Sequence, residues 1–129
     1  MTLGPGLKLT LLAWVWVMRV EWRRRRLPFG DLVACLESVP SRAATTAPHQ
    51  AVFAAVRRAY ALSPFRPTCL RQSLAALGLL RSLGFPARLA IGVKGAEAPV
   101  DAHAWVELNG VALGPPPDDY RPLRRRPAG

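Results

Sequence analysis

The sequence predicts an α+β fold, with helices first and a small antiparallel sheet after them. Three observations predict it. Apolar residues recur at helical spacing up to Leu83, Ala87-Arg88-Leu89-Ala90-Ile91-Gly92-Val93 alternates as a strand does, and Asn109-Gly110 is a hairpin signal between two short strand-like runs. Helices followed by strands, rather than the two in alternation, argue against a doubly wound parallel sheet.

The first segment, Leu7 to Met18, is apolar apart from Lys8 and carries Trp14 and Trp16. It ends at Arg19, with Glu21, Trp22 and Arg23-Arg24-Arg25-Arg26 beyond. A membrane span needs roughly 20 apolar residues, so no span is expected. A secretory signal places its charge before the apolar run and an A-x-A-like site after it, and this segment has neither feature. The reading is a helix packed on the domain or on a partner, with interfacial membrane contact as the lesser alternative.

Between Pro28 and Pro40 a short helix carries Leu32, Val33 and Leu36, and the small polar residues 41–47 read as a connector. Pro48 starts a helix with Val52, Phe53, Val56, Ala59 and Tyr60 on one side and Arg57 and Arg58 opposite. His49, at its start, reads as a surface residue. Pro64 and Pro67 keep the next stretch extended. Leu70 to Leu83 is then a helix that is apolar on most sides, stopped by Gly84 with Pro86 beyond, and its apolarity predicts burial at the centre of the domain.

In the run 101–108, Ala102, Ala104, Val106 and Leu108 share one face, which is assigned to the core. Asp101, His103, Trp105 and Glu107 share the other, expected to be a polar and aromatic surface. Val111-Ala112-Leu113 returns as the next strand. The basic tail, Arg124 to Arg126 and Pro127, is expected to fray.

The chemistry concentrates at Cys69 and His103. A cysteine is a nucleophile as thiolate, and both a helix N-terminus and a nearby imidazolium favour that form. Cys69 falls at the cap or in the first turn of the central helix, and His103 stands off the core face of its strand. A third group orienting the imidazole is sought among Asp118 and Asp119, which the hairpin brings back toward His103, and Asp101, on the same strand face. Glu107 is a weaker candidate, because four strand residues put it about 13 Å from His103. Taken singly, each of these acids also reads as ordinary surface charge, and Cys69 as a small buried hydrophobe.

Composition narrows the alternatives. The 129 residues make one domain. Cys35 and Cys69 lie in unlike contexts that suggest no disulfide framework, which fits a cytoplasmic location. No ligand spacing suggests a metal and no glycine-rich loop suggests a nucleotide, so no cofactor is expected. The net charge of +10 raises a rival, a small nucleic-acid-binding protein using the arginine runs 23–26 and 124–126. Against it, the strands carry no recognition motif, and arginine runs are usually solvated. A second rival is a non-catalytic adaptor that holds peptide in a cleft.

Pro67-Thr68-Cys69-Leu70-Arg71-Gln72-Ser73-Leu74, Leu79-Leu80-Arg81, Gly84-Phe85-Pro86-Ala87, Ile91-Gly92-Val93, Ala102-His103-Ala104-Trp105-Val106-Glu107 with Gly110, and Tyr120-Arg121-Pro122-Leu123 together carry a resemblance. In that order they resemble the leader peptidase (B) protein of lasso peptide biosynthesis, well over residues 48–123 and loosely over 21–41. The resemblance implies a fold similar to transglutaminase-core and papain-like cysteine proteases, divided into a helical amino-terminal part (1–47), a peptidase core (48–123) and a basic tail (124–129). It assigns Cys69 as nucleophile and His103 as general base. The family's aspartate after the returning strand falls near Pro115 here, so Asp118, Asp119 or Asp101 substitutes, or the pair works as a dyad.

The activity this resemblance implies is removal of the leader from a ribosomally made precursor through a thioester, with the Cys69 N–H as oxyanion donor, Gln72 as a second candidate and Trp105 as a cleft wall. The resemblance also implies partners: the precursor peptide, a separate leader-binding recognition element docked near Trp14, Trp16 and Trp22, and the lasso cyclase. The chain would be the stand-alone form of the peptidase, dependent on that element.

Overall fold

The computed structural model describes residues 5–41, 49–94, 101–113 and 121–125. Helices α1 (Pro5–Arg24), α2 (Phe29–Glu37), α3 (His49–Ala61) and α4 (Cys69–Ser82) precede strands β1 (Ala87–Lys94), β2 (Asp101–Leu108), β3 (Val111–Leu113) and β4 (Arg121–Arg125). The architecture is the α+β arrangement expected, with the sheet antiparallel and ordered β3-β2-β1-β4.

Helix α4 lies at the centre, touching α1, α2 and α3 on one side and β1 and β2 on the other. Every residue from Ser73 to Leu80 is buried, as its nearly continuous apolar sequence requires. The helix ends in a Schellman motif: the Phe85 N–H reaches the Leu80 carbonyl and the Gly84 N–H the Arg81 carbonyl, each at 3.0 Å. That motif needs a residue in the left-handed region, and Gly84 supplies it with φ +95°. The chain then turns directly into β1, and the Arg81 guanidinium fastens the crossing by donating to the Ala87 carbonyl at 2.8 Å.

Trp16 of α1 is buried against Gly78 of α4. It therefore belongs to the core and not to the docking region assigned to it with Trp14 and Trp22. Those two remain 41% and 59% exposed. The physical reason is the missing side chain at Gly78, whose bare backbone leaves room for an indole.

The hairpin forms as its sequence demands. Asn109 (φ 53°) and Gly110 (φ 82°) make the two-residue turn, and Leu108 faces Val111 across it. Two features depart from expectation. Arg124 and Arg125 do not extend as a tail but pair with Ile91 and Ala90 in β4, past an irregularity between Ile91 and Gly92. Pro122 is accommodated because β4 is an edge strand, where a missing N–H breaks no continuous ladder. The face of β2 expected to be polar surface is also largely closed, with Trp105 and Glu107 buried and Ala90 buried beside them on β1. The Trp105 indole accounts for this, since its N–H donates to Glu107 Oε2 at 3.0 Å and hides both groups. His49 likewise is half-buried, its ring set edge-on to Phe85.

Candidate active site

Cys69 is the first residue of α4 and is exposed. Thr68 caps the helix with extended backbone (φ −75°, ψ 160°), and its hydroxyl accepts from the Arg71 N–H at 3.2 Å. The N–H groups at the start of a helix have no partner within it, so those of Cys69 and Leu70 present partial positive charge where the thiol sits.

Two sets of contacts fix this end of the helix. The Gln72 amide donates to the Pro67 carbonyl at 2.9 Å, and Arg71 Nη1 donates to the Arg66 carbonyl at 3.2 Å. Arg71 is in turn held by a buried carboxylate. Glu21 of α1, 2% exposed, lies 3.6 Å from Arg71, 3.0 Å from Arg24 and 3.4 Å from the Tyr60 hydroxyl. One acid thus ties α1, α3 and the first turn of α4 together. Burial, and next to it the Glu21 charge, push the Tyr60 phenol well above its ordinary value, so the hydroxyl stays protonated and donates.

His103 is the third residue of β2, half-buried and stacked on Trp105 with ring centroids 6.1 Å apart. The strand is set against α4 by a buried bond in which the Ser73 hydroxyl donates to the Ala104 carbonyl at 3.2 Å. Ser73 lies one turn after Cys69, and Ala104 follows His103. That bond therefore fixes the strand bearing the histidine against the helix bearing the thiol.

The two residues meet in one cavity of about 290 Å³, which Cys69 and His103 line together with Gln72, Ser73, Trp105, Ala104, Leu113, Phe53 and Arg57. Of the residues singled out in the sequence, Cys69, His103, Gln72 and Trp105 are brought together here. Asp101 begins β2 opposite Lys94, with its side chain outside the described residues, and Asp118 and Asp119 lie outside them altogether. The Glu107 carboxylate is bonded to the Trp105 indole.

Phe53 and Arg57 of α3 join the cavity although the sequence pattern assigns them no part in it. Their i, i+4 spacing puts them on one helix face, a signal that dividing α3 into an apolar side with Phe53 and a basic side with Arg57 obscures. Arg57 adds a permanent cation to the cavity wall, suited to a peptide carbonyl or carboxylate. A thiol at a helix N-terminus and an imidazole in one pocket are the parts needed for nucleophilic acyl transfer.

Residues 12–125 match the family model described as Transglutaminase-like superfamily. The chain belongs to the transglutaminase-like superfamily. Neither the curated proteins nor the solved structures gave a match. In this superfamily member the matched span begins within α1 and ends with β4, so it takes in the helix that carries Glu21 as well as the sheet that carries His103. No helix among the described residues is long and apolar enough to cross a membrane.

Proposed function

We propose that the chain is a thiol peptidase that removes the leader from a lasso peptide precursor, with Cys69 as nucleophile and His103 as general base. The observation that carries this reading is the convergence of both side chains on one cavity, the cysteine at the start of a buried helix and the histidine on the adjoining strand. The Cys69 thiolate attacks the carbonyl at the leader–core junction, and the imidazolium of His103 protonates the departing amine. Water, deprotonated by His103, then cleaves the thioester, freeing the leader acid and restoring the thiol. The Cys69 N–H is the oxyanion donor. Gln72 retains a second amide hydrogen for the same duty, its other being engaged by Pro67. Trp105 holds the imidazole plane by stacking.

Asp101, Asp118 and Asp119 are the candidates for the group that orients His103. Catalysis by the Cys-His dyad alone is the alternative. A separate recognition element is proposed to present the leader, docking on the exposed apolar residues of α1 nearer its amino end, Leu7, Leu11 and Trp14. The lasso cyclase is proposed to take the product.

Mass spectrometry of the precursor, incubated with its recognition element and either this protein or Cys69→Ala, tests the reading. Cleavage at one junction, lost in the variant, is the expected result. A Cys69→Ala protein that still cuts would sink the mechanism, and equal rates with and without the recognition element would remove that partner.

A further inference from the structure

A second cavity, of about 410 Å³, lies on the far side of the α4 N-terminus. It is lined by Met18, Arg19, Glu21, Trp22 and Arg25 of the α1 region and by Phe65 of the α3–α4 connection. Its volume is within the roughly 300–1,000 Å³ typical of ligand sites.

Two features connect it to the cysteine cavity. Phe65 precedes Cys69 by four residues, a stretch of chain that spans at most about 14 Å. Glu21, in the wall, is the carboxylate paired with Arg71 in the first turn of α4. The cysteine cavity and this groove therefore flank the same short segment, 65–71, and a single extended peptide can reach both.

The lining also states what the groove takes. Trp22 is 59% exposed although it is the largest apolar side chain available, and Phe65 and Met18 are half-buried beside it. The rim is cationic, with Arg19 and Arg25 in the lining and the Arg25 guanidinium 5.8 Å from the Phe65 ring centre. Arg26 covers the other aromatic, 4.1 Å from the Trp22 ring centre. Glu21 does not oppose an anionic guest, because Arg24 and Arg71 already neutralise it. An apolar floor under an arginine rim is complementary to a peptide in which a large apolar residue is flanked by aspartate or glutamate.

We propose that this groove is a substrate exosite: it seats an apolar residue from an acidic stretch of the peptide whose scissile bond lies at Cys69. The proposal rests on the peptidase reading for the identity of its occupant. Its concavity favours an inserted side chain over a flat lipid surface.

The test is fluorescence anisotropy of fluorescein-labelled precursor peptide on Cys69→Ala protein, in which binding is read without turnover. Trp22→Ala weakens binding by at least about tenfold, and Arg25→Glu weakens it and flattens its salt dependence, whereas Val111→Ala, exposed on β3 away from the groove, binds as the parent does. A precursor with its acidic residues changed to lysine loses affinity as Arg25→Glu does. Undiminished binding by Trp22→Ala and Arg25→Glu overturns the exosite, as does binding of the protein to phosphatidylglycerol vesicles through Trp22 with none to the peptide. The two readings fail separately. Groove-dependent binding with no cleavage by the wild type removes the peptidase and leaves the groove. Cys69-dependent cleavage with kcat/KM unchanged in the groove variants removes the groove and leaves the peptidase.

Discussion

Replacing Gly78 by alanine tests how α1 is seated on the cysteine-bearing helix. A Cβ built at Gly78 falls 2.5 Å from Trp16 Cε3 and 2.8 Å from Cζ3, well inside van der Waals contact. Two effects compete. Alanine is a better helix former than glycine by about 1 kcal/mol, which alone would stabilise α4. Forcing a methyl into a filled interior costs about 1–3 kcal/mol, and the upper part of that range applies because the obstacle is an indole ring held 5% exposed in the core, not the end of a flexible chain. The clash wins, leaving a net loss of roughly 1–2 kcal/mol and a Tm lower by about 3–8 °C. Urea denaturation followed by circular dichroism measures it. Trp16→Leu, combined with Gly78→Ala, supplies the control: the double variant is expected to lose less than the sum of the single losses, because the smaller side chain makes room. A Gly78→Ala protein as stable as the parent, or more so, would refute the claim that the Trp16–Gly78 contact positions α1, and with it the route by which Glu21 reaches Arg71.

Three further predictions bear on the site. Ser73→Ala leaves the buried Ala104 carbonyl without its donor and is expected to cost about 1–3 kcal/mol in denaturant unfolding. Because that bond registers His103 against α4, precursor cleavage falls at temperatures where the variant remains fully folded; unchanged kcat/KM would show the bond to be dispensable for alignment. Glu21→Gln retains the shape of the helix clamp but removes the charge opposite Arg71, so Cys69 is expected to react with iodoacetamide along a changed pH profile in a Cys35→Ala background, and an identical profile would confine Glu21 to a stabilising role. Tyr60 gives the pH dependence: below about pH 10 both folded and unfolded chains keep the phenolic proton, and above it the unfolded chain releases the proton while the folded one holds it. Stability therefore falls as pH rises past 10, less steeply in Tyr60→Phe; parallel stability curves for the two proteins would contradict the raised phenol.

The elements legible in the sequence are those whose signals are local. Helix α4 is bounded by Pro67 before it and Gly84 after it, and the β2–β3 hairpin is written in Asn109-Gly110; both form as read because nothing distant has to agree. What escaped depends on partners far along the chain. Arg121-Pro122-Leu123-Arg124-Arg125 has neither alternation nor strand propensity, and becomes β4 only because β1 offers an edge to pair with. Trp14, Trp16 and Trp22 look equivalent in sequence, and Gly78, over fifty residues away, decides that Trp16 alone of the three is buried. Cys69 and His103 were legible because their chemistry is rare. The wall that Arg57 provides was not, because an arginine on a helix reads as solvated until the neighbouring helix is in place.

Packing also decides where the functional unit begins. Dividing the chain at residue 47 makes α1 an accessory to a peptidase core, yet Leu9, Ala13, Trp16, Val17 and Val20 of α1 share one apolar cluster with Leu74, Leu77 and Leu80 of α4. Glu21, at the far end of the same helix, grips Arg71 two residues from the thiol, and Arg58 of α3 donates to Thr10 at 3.0 Å. Removing residues 1–24 would strip the α4 core of apolar cover and leave Arg71 and Tyr60 without their carboxylate. We therefore propose that 1–47 and 48–123 fold as one cooperative unit. A truncated chain beginning at residue 48 is expected to show no cooperative thermal transition, and a sharp transition with Cys69-dependent cleavage in that fragment would establish α1 as the accessory that the sequence division suggested.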